Sequence, residues 1–176
     1  MIKKILLGLG VVIAAILVYA AVQPAAYTVS REITIAASPD VIFPWLNSSK
    51  KMQEWGPWSD VDPKMQMTFK GPDEGVGATS EWTSEGQMGV GSATVLESVP
   101  GSLVKTKITY KKPFEGTQIA DMTIAANGST SVVKWTVSGE NNFIGRVFCV
   151  FMNMDKTVGG MFEKGLSKLK SKVENK

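Results

Sequence analysis

Between Met65 and Val137 the chain repeats one pattern: a short run of alternating apolar residues, closed by a turn signal. The runs are Met65–Lys70, Gly77–Ser84, Met88–Val99, Leu103–Lys111, Thr117–Ala125 and Ser131–Ser138. Gly71-Pro72-Asp73-Glu74-Gly75, Ser84-Glu85-Gly86, Pro100-Gly101 and Asn127-Gly128 separate them. Strands joined this closely form an antiparallel meander, because a parallel connection needs a long crossover. Tyr27–Ile35 adds a strand ahead of them, with Arg31 breaking its apolar alternation. Ser38-Pro39-Asp40 opens a helix that Pro44 is expected to shorten, and a further helical turn or two is expected over Ser49–Glu54. Trp55 to Pro63 reads as a loop rich in turn formers.

The end of the chain changes period. Val147, Phe151, Met154, Val158, Phe162, Leu166, Leu169 and Val173 recur every three or four residues from Phe143 to Glu174. This predicts one amphipathic helix, on the order of 45 Å long. Gly159-Gly160 weakens it and marks a close approach or a tight crossing over the sheet. A meander must bury one face, and this helix carries the large apolar stripe available to cover it. The expected fold class is α+β: a curved antiparallel sheet of six to seven strands around a long C-terminal helix. One helix covers such a sheet incompletely, so a cavity is expected between sheet and helix.

The N-terminus is a separate unit. Ile5 to Val22 carries no charge, and as a helix it spans about 27 Å, near the thickness of a bilayer core. Residues 1–26 therefore read as a membrane anchor and linker, with residues 27–176 as the folded domain. A cleaved signal peptide is the alternative, with Val18-Tyr19-Ala20 as a passable cleavage site. Lys3 and Lys4 are expected to hold the N-terminus on the cytoplasmic side. The domain is then expected outside the cytoplasm, single-pass if anchored, secreted or periplasmic if cleaved.

Composition removes several functions. The chain has no histidine, which excludes Ser-His-Asp and Cys-His catalysis and His-based zinc sites. Cys149 is the single cysteine, so no internal disulfide forms, and it is expected to be buried and inert. The net charge of +3 largely reflects Lys3 and Lys4. Lys105, Lys107, Lys111 and Lys112 are the densest basic group, but they read as the solvated face of a strand, so no nucleic-acid partner is expected. The glycines of Gly75-Val76-Gly77 and Gly86-Gln87-Met88-Gly89-Val90-Gly91 lie between strands, where turns or bulges fit better than a phosphate loop.

The stretch Trp55-Gly56-Pro57-Trp58-Ser59-Asp60-Val61-Asp62-Pro63, with Phe69-Lys70-Gly71-Pro72-Asp73-Glu74-Gly75 and Glu81-Trp82, resembles the polyketide cyclase/dehydrase group of the START-like, helix-grip superfamily. Lys112-Pro113-Phe114, Val133-Lys134-Trp135 and Gly160-Met161-Phe162-Glu163-Lys164-Gly165-Leu166 extend the resemblance from Tyr27 to about Glu174. It implies a helix-grip domain, which the apolar run at the N-terminus precedes with one expected transmembrane helix. The fold hosts lipid carriers, receptors and cyclases, so it does not by itself select a function.

The expected function is binding of a hydrophobic small molecule or lipid by a membrane-tethered domain. Met67, Trp82, Tyr110, Met122 and Trp135 fit the sheet side of the cavity, and Met154 and Val158 its helical side. Arg31 reads as a polar anchor for the guest, as one half of a salt bridge, or as a solvent-facing end. A cyclase or dehydratase is the first alternative, with Asp121, Glu81 and Tyr110 as the visible acid–base candidates. The second is an envelope protein-interaction module without ligand. No catalytic residue, metal or cofactor is assigned.

Overall fold

The computed structural model describes residues 2–175. In chain order the elements are α1 (Ile2–Val22), β1 (Ala26–Ile35), α2 (Pro39–Asn47), α3 (Ser49–Trp55), α4 (Trp58–Val61), β2 (Gln66–Lys70), β3 (Thr79–Thr83), β4 (Val90–Val99), β5 (Leu103–Lys112), β6 (Gly116–Asn127), β7 (Thr130–Glu140), α5 (Phe143–Phe151) and α6 (Met154–Glu174). The strands form one seven-stranded sheet in the order β1-β7-β6-β5-β4-β3-β2. All neighbours are antiparallel. The meander runs from β2 to β7, and β1 closes onto the far side of β7 across the helical excursion. Gly101 and Gly128 take φ of 67° and 62° in the short turns, of three and two residues, that hold β4 to β5 and β6 to β7. Register shifts at Val90/Gly91 and Val95/Glu97 bend the β4–β5 ladder, and the sheet curves there.

α6 lies over the β1 side of the sheet, not across its middle. Phe162, Leu166, Leu169 and Val173 are its buried apolar side chains, and they join Val29, Ile35, Ile42 and Val133 in one core. Each such side chain contributes about 1.5–3 kcal/mol by leaving water. Gly165 sets the depth of the helix, because a Cβ there would stand 3.1 Å from both Pro57 Cδ and Trp135 Cζ3. Trp135, 1% exposed, is the centre of the packing. It stacks on Phe162 with centroids 4.2 Å apart and meets the edges of Trp55 and Trp58 at 5.6 and 5.7 Å.

The C-terminal region differs from the single long helix expected from its period. It is divided into α5 and α6 by Met152 and Asn153 in extended conformations. Asn142 Oδ1 accepts from Gly145 N, and Asn153 Oδ1 accepts from Lys156 N, both at 2.9 Å. Each asparagine thus starts its own helix. The apolar period runs straight through the break and conceals it. Pro44 does not end α2, which continues to Asn47, and the expected Trp55–Pro63 loop contains the single-turn α4.

α1 is long and apolar enough to cross a membrane by length and composition, a test that a signal sequence near an N-terminus also passes. Ala20 is its single buried residue among those described.

Candidate functional site

On the β2–β6 side of Trp135 the sheet's inner face is covered by α3 and α4, and a cavity of about 70 Å³ remains beneath them. Alternation along the strands aims Met67 from β2, Ser80 and Trp82 from β3, Ala93 from β4, Thr106, Ile108 and Tyr110 from β5, and Ala120 and Met122 from β6 into it. Met52, Trp58, Met65 and Met88 close it from the helices and loops. Five of the chain's nine methionines therefore meet at one place. Among the described residues, no charged side chain lines the space.

Trp82 is fixed from three directions. Its Nε1 donates to Met88 O at 3.0 Å, and its ring meets Tyr110 edge-on with centroids 5.7 Å apart. Gly91, its cross-strand partner, leaves room for the ring, since a Cβ there would lie 2.3 Å from Trp82 Cζ2. Tyr110 supplies a polar group at this end. Burial raises its phenol pKa to about 12, so it stays protonated at neutral pH. Its hydroxyl donates a long 3.4 Å bond to Gln118 Oε1. Burial also raises the phenol of Tyr27.

Of the sequence-predicted site residues, Met67, Trp82, Tyr110, Met122 and Trp135 are brought together here. Met154 instead lines a groove with Tyr19 and Cys149, and Val158 packs against the core between α6 and the sheet. None of the α6 residues lines the cavity, because the Trp135–Phe162 stack fills the space between sheet and helix. The site residues assigned from the sequence did not include Met52, Trp58, Met65, Ser80, Met88, Ala93, Thr106, Ile108 and Ala120. The clustering of methionine between positions 52 and 88 was the legible signal for three of them.

Arg31 lies away from the cavity, in the salt-bridge arrangement. Its Nε donates to Glu163 at 2.6 Å, its Nη1 and Nη2 grip the Asp155 carboxylate at 2.9 Å each, and its Nη2 also reaches Asp155 O. Gly159 explains how the guanidinium comes so close to α6: a Cβ there would stand 2.2 Å from Nη2. Of the three acid–base candidates, Tyr110 faces the cavity, and Glu81 and Asp121 face elsewhere. Glu81 alternates with Ser80 and Trp82, and it pairs with Lys70 at 2.7 Å on the outer face. Asp121 lies between the inward-facing Ala120 and Met122 and registers with Lys105. Asp62 accepts from Lys64 N at 3.0 Å and from the Ser84 hydroxyl, the pattern of a turn cap. Cys149 is half-exposed and accepts from Asn141 Nδ2 at 3.4 Å.

These partners make a pH prediction. The hydrogen bond from Arg31 holds the Asp155 carboxyl below the usual range. Ser84 does the same for Asp62, Lys50 for Asp73 and Lys70 for Glu81. A carboxyl lowered in the folded state contributes stability that is complete above its unfolded pKa and disappears as pH falls through the folded one. Thermal unfolding followed across pH should be flat between about pH 6 and 8, where no histidine titrates, and should fall steeply below about pH 4. A midpoint unchanged at acid pH would show that these pairs contribute nothing.

An open antiparallel sheet gripping a C-terminal helix, with an uncharged cavity under its far strands, defines a START-like helix-grip domain. More narrowly, the chain belongs to the polyketide cyclase/dehydrase and lipid transport family, whose model matches residues 26–174. A search of curated proteins gives no match. Among solved structures, truncated norcoclaurine synthase from Thalictrum flavum is similar at 15% identity and a TM-score of 0.63, over 86% of this chain and 96% of that one. The Aha1 dimer from Colwellia psychrerythraea is similar at 18% identity and a TM-score of 0.60, over 84% and 96%. Protein CV1439 from Chromobacterium violaceum reaches 17% identity and a TM-score of 0.57, over 84% and 96%. At such identities the likeness is one of fold.

Proposed function

We propose that residues 27–176 bind a hydrophobic small molecule or lipid in the methionine-lined cavity, and that residues 1–26 tether this domain to a membrane with the domain outside the cytoplasm. The observation that carries the reading is the lining itself: Met52, Met65, Met67, Met88 and Met122 around Trp58, Trp82 and Trp135, with no charge among the described lining residues. Plain packing does not need so many methionines in one place, whereas a guest of variable shape does, because the unbranched thioether repacks at low cost. At about 70 Å³ the resting space takes only a few carbon atoms. Binding therefore includes rotation of the methionines and a small displacement of α3 and α4. About 100 Å² of guest surface taken out of water is worth about 2.5 kcal/mol, less the cost of ordering the guest. Tyr110, Ser80 and Thr106 are the polar groups that orient it.

Tyr110 also lines a groove of about 160 Å³ that includes Tyr27, Phe114 and Phe148, which supports access for the guest at that end. The tether keeps the domain close to its source of apolar guests and so raises their effective concentration. Native mass spectrometry of the full chain, released gently from membrane extracts, tests the proposal. A discrete adduct with the mass of a lipid or similar apolar molecule is the expected result. A spectrum of bare protein under conditions that preserve weaker complexes would refute it.

A further inference from the structure

We infer that α5, together with Phe114, is a second membrane contact: a short helix that lies in the bilayer surface beside the end of α1. The inference rests on the reading of α1 as a membrane span. α5 has the sequence Phe-Ile-Gly-Arg-Val-Phe-Cys-Val-Phe, and none of its residues is buried. A helix this apolar with no buried side chain lacks the cover that water-facing helices need. Ile144, Phe148 and Phe151 follow one another on one face and are 50%, 53% and 71% exposed. Phe114, 51% exposed on the β5–β6 turn, extends the patch, with its ring centroid 5.9 Å from that of Phe148.

What covers this face follows from where α5 is fastened. Arg146 Nη1 donates to Ala21 O at 2.9 Å and to Gln23 O at 3.3 Å, at the last residues of α1 and just past them. Those carbonyls are free of helix partners because the helix ends there. With α1 across the membrane, its end is the boundary between hydrocarbon and water, and α5 is held at that level. Arg146 is the single charge on α5, and it is turned toward the α1 end. Insertion is thus apolar, with aromatic rings at the depth where interfacial aromatics gather. A zwitterionic surface suffices. The groove between Phe114, Phe148 and Tyr110 then opens at the bilayer.

Spin labels in the full chain reconstituted into phosphatidylcholine vesicles test this. Cys149, the sole cysteine, is first replaced by serine, and labels are placed by F151C, I144C, I13C and K107C. Labels at 151 and 144 should be open to oxygen and show several-fold lower collision with a water-soluble nickel chelate than the label at 107, as should the label at 13. A label at 13 in lipid with 151 and 144 open to nickel would overturn the inference and leave the tether standing. Labels at 151 and 144 shielded from both reagents would assign the face to a protein partner and overturn it as well. If 13 is also open to nickel, the tether fails and the inference fails with it. The adduct experiment on the cavity is independent of all these outcomes. Positions 151 and 144 are both exposed, so two independent substitutions report on one surface.

Discussion

Trp135→Ala should lower the unfolding free energy by about 3–5 kcal/mol, the largest single-residue loss expected in this domain. For a domain of this size that is a fall of about 6–20 °C in the unfolding midpoint. The magnitude follows from position. Trp135 touches Trp55, Trp58 and Phe162, is 1% exposed, and separates the α6 core from the methionine-lined cavity. Its removal joins two spaces that the native fold keeps apart, and Gly165 and Pro57 on the helical side cannot collapse far enough to refill them. Trp135→Phe should lose less than half as much. It retains a ring on Phe162 and removes an Nε1 that is buried without a hydrogen-bond partner. Denaturant unfolding of the detergent-solubilised chain measures both. A parent-like midpoint for the alanine variant would show that the aromatic cluster is not the centre of the fold. An equal loss for both variants would assign Nε1 a polar partner.

Ala93→Leu should reduce capture of an apolar guest at least tenfold, equivalent to about 1.4 kcal/mol, while leaving the fold intact. Ala93 pairs with Ser80 on β3 and Ile108 on β5, and all three line the cavity, so the added carbons enter the empty space. The usual penalty of overpacking applies to filled cores, and here there is room. Ala125→Leu is the control, because Ala125 is exposed and lies outside the cavity lining. A diazirine-bearing fatty acid, photolysed in vesicles containing the full chain, should label the strands carrying Met67 and Trp82 in the parent and in the control. It should lose that labelling in Ala93→Leu and keep whatever labels α1. Equal labelling of all three proteins would remove the cavity as the binding site.

Legibility in the sequence was uneven, for physical reasons. The strands of the meander appear within a residue or two of the runs that alternation outlined, and Tyr27–Ile35 became β1 with one residue added. Alternation is a local property, fixed by the residues that carry it. The break at Asn153 was hidden because the apolar period is also local, and it continues across a cap that only the side chain of Asn153 makes. The resemblance in Trp55–Pro63 and Gly160–Leu166 was informative for a related reason. Those segments hold Pro57, Trp58 and Gly165, which shape the contact of α3 and α4 with α6.

The site was half legible. Met67, Trp82, Tyr110, Met122 and Trp135 face one space because β-strand alternation and the meander order leave few other arrangements. Arg31 was an exception to its strand's pattern with three readings, and the choice among them lay with Asp155 and Glu163, more than a hundred residues away in the chain. Neither acid advertises the pairing. Gly159 did mark an approach to the helix, but what approaches it is visible only in three dimensions.

By itself, then, the order of residues set the number and direction of the strands, the uncharged run from Ile5 to Val22 and the absence of histidine chemistry, since each is a matter of near neighbours or of content. The tertiary structure alone decided that the cavity lies under α3 and α4 instead of α6, and that α5 packs beside the end of α1 with Ile144, Phe148 and Phe151 exposed. Both depend on where distant rings and helix ends meet. The Trp135–Phe162 stack occupies the space the helix was expected to leave, and Arg146 reaches back 125 residues to Ala21. Contacts of that range follow from how the sheet bends and how tightly α6 seats, and no local pattern records either.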